Sequence, residues 1–314
     1  MKEKIINGYR LGIAEAKTLM SELSNAEIFK LADELRHHFR GNKLDTCMIH
    51  NAKSGRCSED CKWCSQSVFH TSKVEVYDFV DYAAIKPTAE MANSRGVHML
   101  SLVTSGKKLS KTNVDRAALV YKQIKSDYPE LGCCASMGLL TKEELETLYK
   151  VGVRRYHCNI ETAPSRFSSL CSTHSLEDKL KTIQAAQEVG MTVCSGGIIG
   201  MGETEDDRIE MAVFLQKLDI RSIPVNILTP IEGTKLSDAK VLSDEEILRS
   251  FALFRIINPE ADIRFAAGRK RIHHIQTEAL KAGVSASIVG DFLTTMGVNL
   301  DEDLANFRKL AYEI

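Results

Sequence analysis

Residues 53–64 read KSGRCSEDCKWC, a polar loop in which Cys57, Cys61 and Cys64 are spaced C-x3-C-x2-C. Three thiols are too few to complete a structural zinc site, which has four protein ligands. They can bind three irons of a 4Fe–4S cube and leave the fourth iron open to another ligand. The spacing therefore predicts a cluster with one open iron. The alternative is a zinc-binding or incidental group of cysteines.

Outward from this loop, β-rich runs alternate with amphipathic segments. Most of these segments are long enough for a crossover helix, and capping boxes at Thr141 and Ser243 predict where two such helices begin. Eight β/α alternations favour an α/β fold of the TIM type, a (β/α)8 barrel, over an open doubly wound sheet. The eight predicted strands cover residues 45–51, 98–104, 133–137, 155–161, 192–199, 223–228, 263–267 and 286–292.

A helical segment precedes the first predicted strand. Ser24 and Glu27 begin this helix, apolar residues follow at helical spacing, and Gly41 ends it. The chain has 314 residues, within the range of one α/β barrel, and shows no linker or low-complexity tract. We therefore expect a helical N-terminal cap at residues 1–43 and a single barrel domain at residues 44–314.

The composition excludes several classes of protein. Lys and Arg number 41 and Asp and Glu number 42, a balance that indicates neither a nucleic-acid nor an acidic-membrane partner. Residues 1–6 lack the apolar stretch of a signal peptide, and no apolar run reaches membrane-spanning length. Nine cysteines without a secretion signal are typical of reduced thiols with metal or catalytic roles. We expect a cytoplasmic protein without nucleic-acid or membrane partners.

Polar and thiol residues recur along the predicted strands, although a barrel interior is normally filled with Val, Ile and Leu. Buried polar groups without partners are costly, so a metal or substrate site shared in the lumen would account for these residues. The alternative for any single strand cysteine is a small core residue. The candidates are Ser101, Cys133, Cys134, Cys158, Asn159, Glu161, Cys194, Asn226 and Arg264.

These positions resemble the biotin synthase family of radical S-adenosylmethionine (SAM) enzymes. The resemblance runs from about residue 51 to residue 295, in the right order. It rests on the cluster loop, with Trp63 before its last cysteine, on Asn159-Ile160-Glu161-Thr162, and on VCSGGIIGMGET at residues 193–204. The resemblance implies a homodimeric sulfurtransferase that converts dethiobiotin to biotin.

The resemblance also implies cofactors and a mechanism. Cys57, Cys61 and Cys64 would hold a 4Fe–4S cluster whose open iron binds SAM. A reduced electron donor such as flavodoxin or ferredoxin would drive cleavage of SAM to a 5′-deoxyadenosyl radical, which abstracts hydrogen from an unactivated C–H bond. A second, auxiliary Fe–S cluster deeper in the barrel would then donate the sulfur.

Further residues take their expected roles from the family. Glu161 stands where a shorter Asp is usual, and Lys179 stands in the place of an arginine, which keeps the charge but loses the bidentate fork. Strand-end capping is the alternative role for Thr294 and Thr295. The expected SAM-binding residues are Trp63, Asn159, Glu161 and Lys179, and the expected substrate-binding residues are Asn159, Asn226, Thr294 and Thr295.

The auxiliary cluster is where the chain departs from the family. Family members usually hold a 2Fe–2S cluster through one cysteine from each of strands two, three and five and an arginine from strand seven. Here strand two offers Ser101, a poor ligand for iron compared with thiolate, and Cys158 stands where histidine is common. We predict a cubane-type auxiliary cluster on Cys134, Cys158 and Cys194, with Arg264 as a neighbour or ligand. Alternatively, Cys158 only packs and the auxiliary site is lost.

Two other functions remain open at this point. A sister radical SAM enzyme of the same fold, similar to the hydrogenase maturase or the methylornithine-forming mutase, needs only the first cluster. The presence of Cys134, Cys194 and Arg264 together argues against it. A non-enzymatic Fe–S binding or sensing protein would not need a SAM pocket. Of the remaining cysteines, Cys47, Cys133 and Cys171 are expected to be structural.

Overall fold

A closed parallel β-barrel forms the centre of the molecule. The computed structural model describes residues 1–290 and 299–314. Its strands within these ranges are β1 (Asp45–Lys53), β2 (Met99–Thr104), β3 (Gly132–Ser136), β4 (Val153–His157), β5 (Thr192–Cys194), β6 (Gly197–Ile199), β7 (Ser222–Ile227), β8 (Asp262–Phe265) and β9 (Ala286–Val289).

The pairing of the strands closes the barrel. The order is β5-β4-β3-β2-β1-β9-β8-β7-β6, and β5 also pairs with β7. β5 and β6 are two parts of one barrel strand, interrupted at Ser195 and Gly196. Across the described residues the sheet therefore has eight barrel positions, and the predicted (β/α)8 barrel is confirmed.

Helices follow the strands and cover the outside of the barrel. The predicted capping boxes at Thr141 and Ser243 begin α6 and α10. No helix of the described residues is long and apolar enough to cross a membrane. The helices are α1 (Lys2–Ile6), α2 (Ile13–Glu22), α3 (Asn25–Arg40), α4 (Tyr82–Ser94), α5 (Lys111–Asp127), α6 (Lys142–Lys150), α7 (Phe167–Leu170), α8 (Leu176–Val189), α9 (Glu205–Lys217), α10 (Asp244–Ile257), α11 (Gln276–Lys281) and α12 (Leu300–Lys309), with short 3-10 helices at Pro164–Arg166 and Arg269–Ile275.

The first three helices precede β1 and lie against the outer helices. α3 begins with the capping box of Ser24 and Glu27, ends at Gly41 and packs on α10, while α2 packs on α9. The segment after α3 is tied to the C-terminus, because Leu44 N donates to Glu313 O (2.8 Å) and Glu313 N donates to Asn42 O (2.8 Å). The division of the chain at residue 43 stays a prediction.

The alternation of side chains along each strand separates the core from the lumen. In β1, Met48 packs in the hydrophobic core between the sheet and the helices, whereas Cys47 and Ile49 face the lumen. The same alternation in β4 directs Arg155 and His157 inward. The barrel interior therefore presents thiols and charged groups where a simple core would present aliphatic side chains.

The buried ion pair between Arg269 and Asp303 gives a test of stability. Arg269 is 1% exposed and Asp303 is not exposed, and the two form two hydrogen bonds that fasten α12 to the segment after β8. Asp303→Asn is expected to lower the free energy of unfolding by about 3 kcal/mol or more, because it leaves a buried guanidinium without its counter-charge. The denaturant midpoint of the iron-free chain measures this change.

The matched control lies on the same helix. Asp301 pairs with Arg95 at the surface, where the two side chains are 64% and 48% exposed. Solvent screens such a pair, so Asp301→Asn should leave the midpoint near that of the parent. Equal midpoints for the two variants would contradict a structural role for the buried pair.

Candidate active site in the barrel lumen

A cavity of about 340 Å³ occupies the lumen of the barrel. Its wall includes loop residues after β1, β7 and β8, so it extends from the C-terminal ends of the strands into the interior. In (β/α)8 barrels this end of the strands holds the active site. The predicted site residues that line it are Trp63, Cys64, Cys134, Asn159, Glu161, Cys194, Asn226 and Arg264.

Backbone amides lie close to the thiols of the loop with Cys57, Cys61 and Cys64. The backbone of Glu59 and Gly106 acts to lower the pKa of Cys57, and that of Gln66 and Ser67 acts to lower the pKa of Cys64. Burial raises the pKa of the Cys64 thiol to about 11, so metal binding would be the means of keeping it as thiolate. Amide donors directed at sulfur are typical of iron–sulfur sites, and the residues fit the predicted 4Fe–4S cluster.

This loop is fastened to the segment between α7 and α8. Lys62 N donates to Leu170 O (3.0 Å), and Asp60 accepts from the backbone N–H of Ser172 (2.9 Å) and Thr173 (3.2 Å). These hydrogen bonds hold the cluster loop in place across more than one hundred residues of sequence.

Asn159, Glu161 and Lys179 form a connected polar group at one side of the cavity. Asn159 Nδ2 donates to Glu161 Oε2 (3.3 Å), and Lys179 Nζ donates to Glu161 Oε1 (3.4 Å). Lys179 does not line the cavity. Burial acts to lower its pKa, but the charge of Glu161 outweighs burial and raises it. Lys179 therefore keeps its positive charge and orients the carboxylate that faces the cavity.

The side-chain amides of Asn159 and Asn226 bind the backbone around the interrupted barrel strand. Asn159 Oδ1 accepts from Gly196 N (2.9 Å), and Asn226 Nδ2 donates to Gly197 O (3.0 Å). Asn226 Oδ1 also accepts from Ala267 N (3.1 Å), beyond β8. Gly196 has no room for a side chain, because a Cβ there would collide with Pro224 O. Both amides are thus fixed in orientation towards the lumen.

Three thiols meet deeper in the cavity: Cys47 of β1, Cys134 of β3 and Cys194 of β5. They are close enough to raise one another's pKa, and burial raises that of Cys47 to about 11. Burial has the same tendency at Cys194, but the neighbouring His157 side chain and the charges of Arg264 and Arg155 lower its pKa to about 7. A buried group of three thiols fits an iron–sulfur cluster.

The prediction that Cys158 faces the lumen is wrong. Its Sγ lies 4.0 Å from Lys179 O, in the core between the barrel and α8, and it is absent from the cavity wall. The reason is the period of two along an extended strand, which directs His157 and Asn159 inward and Cys158 outward. Ser101 does face the cavity, where its hydroxyl acts to lower the pKa of Cys134.

Two charged residues that the sequence did not indicate, Asp45 and Arg155, lie with Arg264 at the floor of the lumen. Asp45 bridges two arginines: Arg155 Nη1 lies 2.9 Å from Asp45 Oδ2, and Arg264 Nη2 pairs with the same oxygen. Burial opposes ionisation of Asp45, but the two guanidinium groups hold the pKa of its carboxyl well below its usual range. Asp45, Arg155 and Arg264 together carry a net positive charge. A positive charge beside the three thiols suits an anionic iron–sulfur cluster.

Cys47, Arg155 and His157 are therefore the lumen residues that sequence reasoning missed. The alternation of side chains along a strand could have identified them. Cys47 is two residues from Ile49, and Arg155 and His157 are on the same face of their strand as Asn159. Thr294 and Thr295 lie outside the residues that the structure describes.

Comparison with family models covers most of the chain. The Radical SAM superfamily model matches residues 52–215, which include the cluster loop and strands β2 to β6. The model of the Biotin and Thiamin Synthesis associated domain matches residues 224–313. The second match begins within β7, so the two models divide a single closed barrel between them.

Among solved structures, methylornithine synthase has the same fold. It superimposes with a TM-score of 0.84 over 99% of this chain and 96% of that one. The identity is 18%, so the likeness shows the fold alone.

Curated relatives resemble the chain over its full length. Biotin synthase of Parabacteroides distasonis is 44% identical over 100% of this chain and 96% of the relative. Biotin synthase of Porphyromonas gingivalis is 45% identical over 100% of this chain and 95% of the relative. Together with both family models, these matches identify the chain as a member of the biotin synthase family of radical SAM enzymes.

Proposed function

We propose that the chain converts dethiobiotin to biotin by radical SAM chemistry with sulfur insertion. The observation that supports this most directly is that one cavity joins both groups of thiols. Cys64 and Trp63 line it beside the cluster loop, and Cys47, Cys134 and Cys194 line it deeper in the barrel. A substrate between them would face the source of the radical on one side and the source of sulfur on the other.

The residues at the end of the cavity beside the cluster loop would hold the first cluster and SAM. Cys57, Cys61 and Cys64 would bind three irons of a 4Fe–4S cluster, which supplies the electron for reductive cleavage of SAM. Glu161, oriented by Lys179, presents an acceptor for hydroxyl groups at the cavity wall. Trp63 offers an indole face beside Cys64. The closed barrel wall excludes water from a reactive radical.

Asn159 and Asn226 suit the recognition of a cyclic urea. Their amides are fixed by backbone hydrogen bonds, so each presents its remaining hydrogen-bonding capacity to the cavity in one orientation. Preorganised donors and acceptors align a substrate carbon with the radical source at little entropic cost. Thr294 and Thr295, outside the described residues, stay predicted contacts of the substrate carboxylate.

For the auxiliary cluster we propose Cys47, Cys134 and Cys194 as the thiolate ligands, with Arg264 and His157 beside them. Cys47 takes the role first expected of Cys158, because it faces the lumen and Cys158 does not. Three thiolates suit a cubane-type cluster with an extra sulfide on its fourth iron. When bound, this cluster supplies the sulfur for the product. The positive charge of Arg155 and Arg264 would stabilise the bound anionic cluster.

The proposed activity is tested on the anaerobically reconstituted full-length chain. With SAM, dethiobiotin and a reductant, it should form biotin together with methionine and 5′-deoxyadenosine. Formation of 5′-deoxyadenosine without biotin would instead favour a sister radical SAM enzyme. The comparison with methylornithine synthase gives no support for that alternative, since it extends only to the fold. Absence of both products would favour a non-enzymatic Fe–S protein.

The ligand set of the auxiliary cluster is tested by iron content. The parent should bind about eight irons per chain, the content of two cubes. Cys47→Ala should lose about half of this iron, because it removes a lumen thiolate. Cys158→Ala is the matched control and should keep all of it, since Cys158 Sγ packs beside α8.

Mössbauer spectra of the same samples give the type of cluster. A parent spectrum of one cube and one 2Fe–2S centre would contradict the cubane assignment. Loss of iron in Cys158→Ala but not in Cys47→Ala would contradict the revised ligand set.

The partners and location of the chain also belong to this proposal. We infer a homodimer that receives electrons from reduced flavodoxin or ferredoxin and acts in the cytoplasm. Membership in the biotin synthase family supports the first two inferences. The nine free cysteines, all within the described residues, support a reducing location.

A further inference from the structure

Cys171, expected to be a structural cysteine, lies against the cluster loop. Its Sγ is 3.6 Å from Cys61 Sγ and 3.3 Å from His174 Nδ1. One ligand atom from each of Cys61, Cys171 and His174 can be chosen so that all three lie within 4.8 Å of one another. Cys171 and His174 both belong to the segment between α7 and α8, and neither has a role in the proposed reaction.

A carboxylate orients the histidine of this group. Glu59 Oε2 lies 2.6 Å from His174 Nδ1, and both side chains are only 6% exposed. With Nδ1 donating to Glu59, Nε2 is the nitrogen left with a free lone pair, and it lies 3.9 Å from Cys171 Sγ. A histidine whose second nitrogen is bound to a carboxylate is the usual arrangement at metal sites.

Two of the separations between ligand atoms are close to those around a tetrahedral metal ion. Metal–sulfur bonds of about 2.3 Å and metal–nitrogen bonds of about 2.0 Å place two sulfurs about 3.8 Å apart and a sulfur and a nitrogen about 3.5 Å apart. The observed separations are 3.6 Å between the sulfurs and 3.9 Å from Cys171 Sγ to His174 Nε2. Small rotations of these side chains would supply three of the four tetrahedral positions, and water would take the fourth.

Backbone hydrogen bonds already hold the segments that carry Cys61, Cys171 and His174 next to each other. Asp60, beside Cys61, binds the N–H groups of Ser172 and Thr173, which lie between Cys171 and His174. Asp60 N in turn donates to Thr173 Oγ1 (3.1 Å). The two segments therefore bring their side chains together without a metal, which lowers the entropic cost of binding one.

We propose that the chain without its cluster binds one divalent transition metal ion through Cys61, Cys171 and His174, with Glu59 orienting the histidine. Two thiolates and an imidazole suit ions such as Zn²⁺ and Fe²⁺. Since Cys61 is also a member of the C-x3-C-x2-C set, this ion and the 4Fe–4S cluster exclude each other. This mutual exclusion rests on the proposed function, because that function assigns Cys61 to the cluster. Binding of the metal ion itself does not rest on the proposed function.

The test uses Co²⁺ as a spectroscopic probe of the full-length, iron-free chain. The background carries Cys57→Ala and Cys64→Ala, which remove the other two thiols of the loop, and Cys134→Ala and Cys194→Ala, which remove two thiols of the lumen. The proposed site stays complete. This background chain should bind one Co²⁺ at this site, with a thiolate-to-cobalt charge-transfer band and the intense visible bands of tetrahedral cobalt.

Adding Cys171→Ser or His174→Gln should weaken this binding at least tenfold. Adding Cys133→Ser, a buried thiol elsewhere in the core, should leave it unchanged.

Two results would overturn the proposal. One is a background chain without these bands, and the other is a spectrum that Cys171→Ser does not change. A chain with Cys64→Ala as its only change to the loop, together with Cys134→Ala and Cys194→Ala, repeats the titration, so misfolding of the first background would not leave the question open. None of these measurements depends on SAM cleavage or biotin formation, so the metal site and the proposed function can fail separately.

The exclusion has its own experiment. The experiment uses an iron-free Cys134→Ala/Cys194→Ala chain, which lacks two proposed auxiliary ligands. When this chain is preloaded with one equivalent of Zn²⁺, it should assemble the first cluster from Fe²⁺ and sulfide at least tenfold more slowly than without Zn²⁺. The rate of assembly is read from the absorbance of the cluster. Cys171→Ser should relieve the delay. A delay of the same size with Cys171→Ser would place the zinc elsewhere and contradict the exclusion.

Discussion

Cys61→Ala is expected to abolish reductive SAM cleavage. Two remaining thiolates cannot hold a cube that needs three, so the electron would have no route to the sulfonium of SAM. The measurement is the rate of 5′-deoxyadenosine formation with excess reductant. The expected result is a fall to the level of the reaction without protein.

The fold should survive this change, because Cys61 lies in a partly exposed loop after β1, outside the barrel core. The denaturant midpoint of the iron-free variant checks this. Cys133→Ala serves as the matched control, since it removes a buried thiol of β3 that does not line the cavity. A Cys61→Ala chain that forms 5′-deoxyadenosine at the parent rate would show that the first cluster has been assigned to the wrong residues.

Cys194→Ala is expected to separate the two activities. In the proposed function, radical generation depends on the loop thiols, whereas sulfur transfer depends on the thiols at the lumen floor. The variant should therefore still form 5′-deoxyadenosine but should form no biotin. Both products are measured in the same reaction, so the ratio of biotin to 5′-deoxyadenosine is independent of enzyme concentration.

Two details of the site make this variant informative. Cys194 lies in register with His157 on β4 and accepts a hydrogen bond from Ser222 Oγ (3.4 Å), so its replacement touches only the floor of the lumen. The backbone hydrogen bond from Cys158 N to Cys194 O (3.0 Å) remains in the alanine variant. Equal loss of both products in a folded chain would contradict two independent clusters.

The fold could be predicted from sequence because its determinants are local. Periods of two and of 3.6 residues distinguish strands from helices, and the caps at Ser24, Thr141 and Ser243 are visible as short motifs. Local signals repeated eight times leave few architectures open. The interruption of one barrel strand at Ser195 and Gly196 was not predicted, because it depends on the approach of Pro224 from the neighbouring strand.

The residues that line the lumen could be predicted only in part. Cys134, Cys194 and Arg264 do line the cavity, but residue type alone favoured Cys158 over Cys47, because it does not say which face of a strand a side chain occupies. The approach of Cys171 to Cys61 could not be predicted at all. These residues are 110 positions apart, and only the packing of two loops brings their sulfurs together.

The hydrogen bonds of Asn159 and Asn226 have a consequence for how this enzyme can diversify. Each amide is part of the barrel wall as well as of the pocket, so a mutation that changes substrate preference there also weakens the closure of the sheet. Mutations that change substrate preference should therefore cost less stability at Val103, Ile198 and Ile288, which line the same cavity with aliphatic side chains. We expect related enzymes with altered substrates to keep the two asparagines and to vary the aliphatic wall.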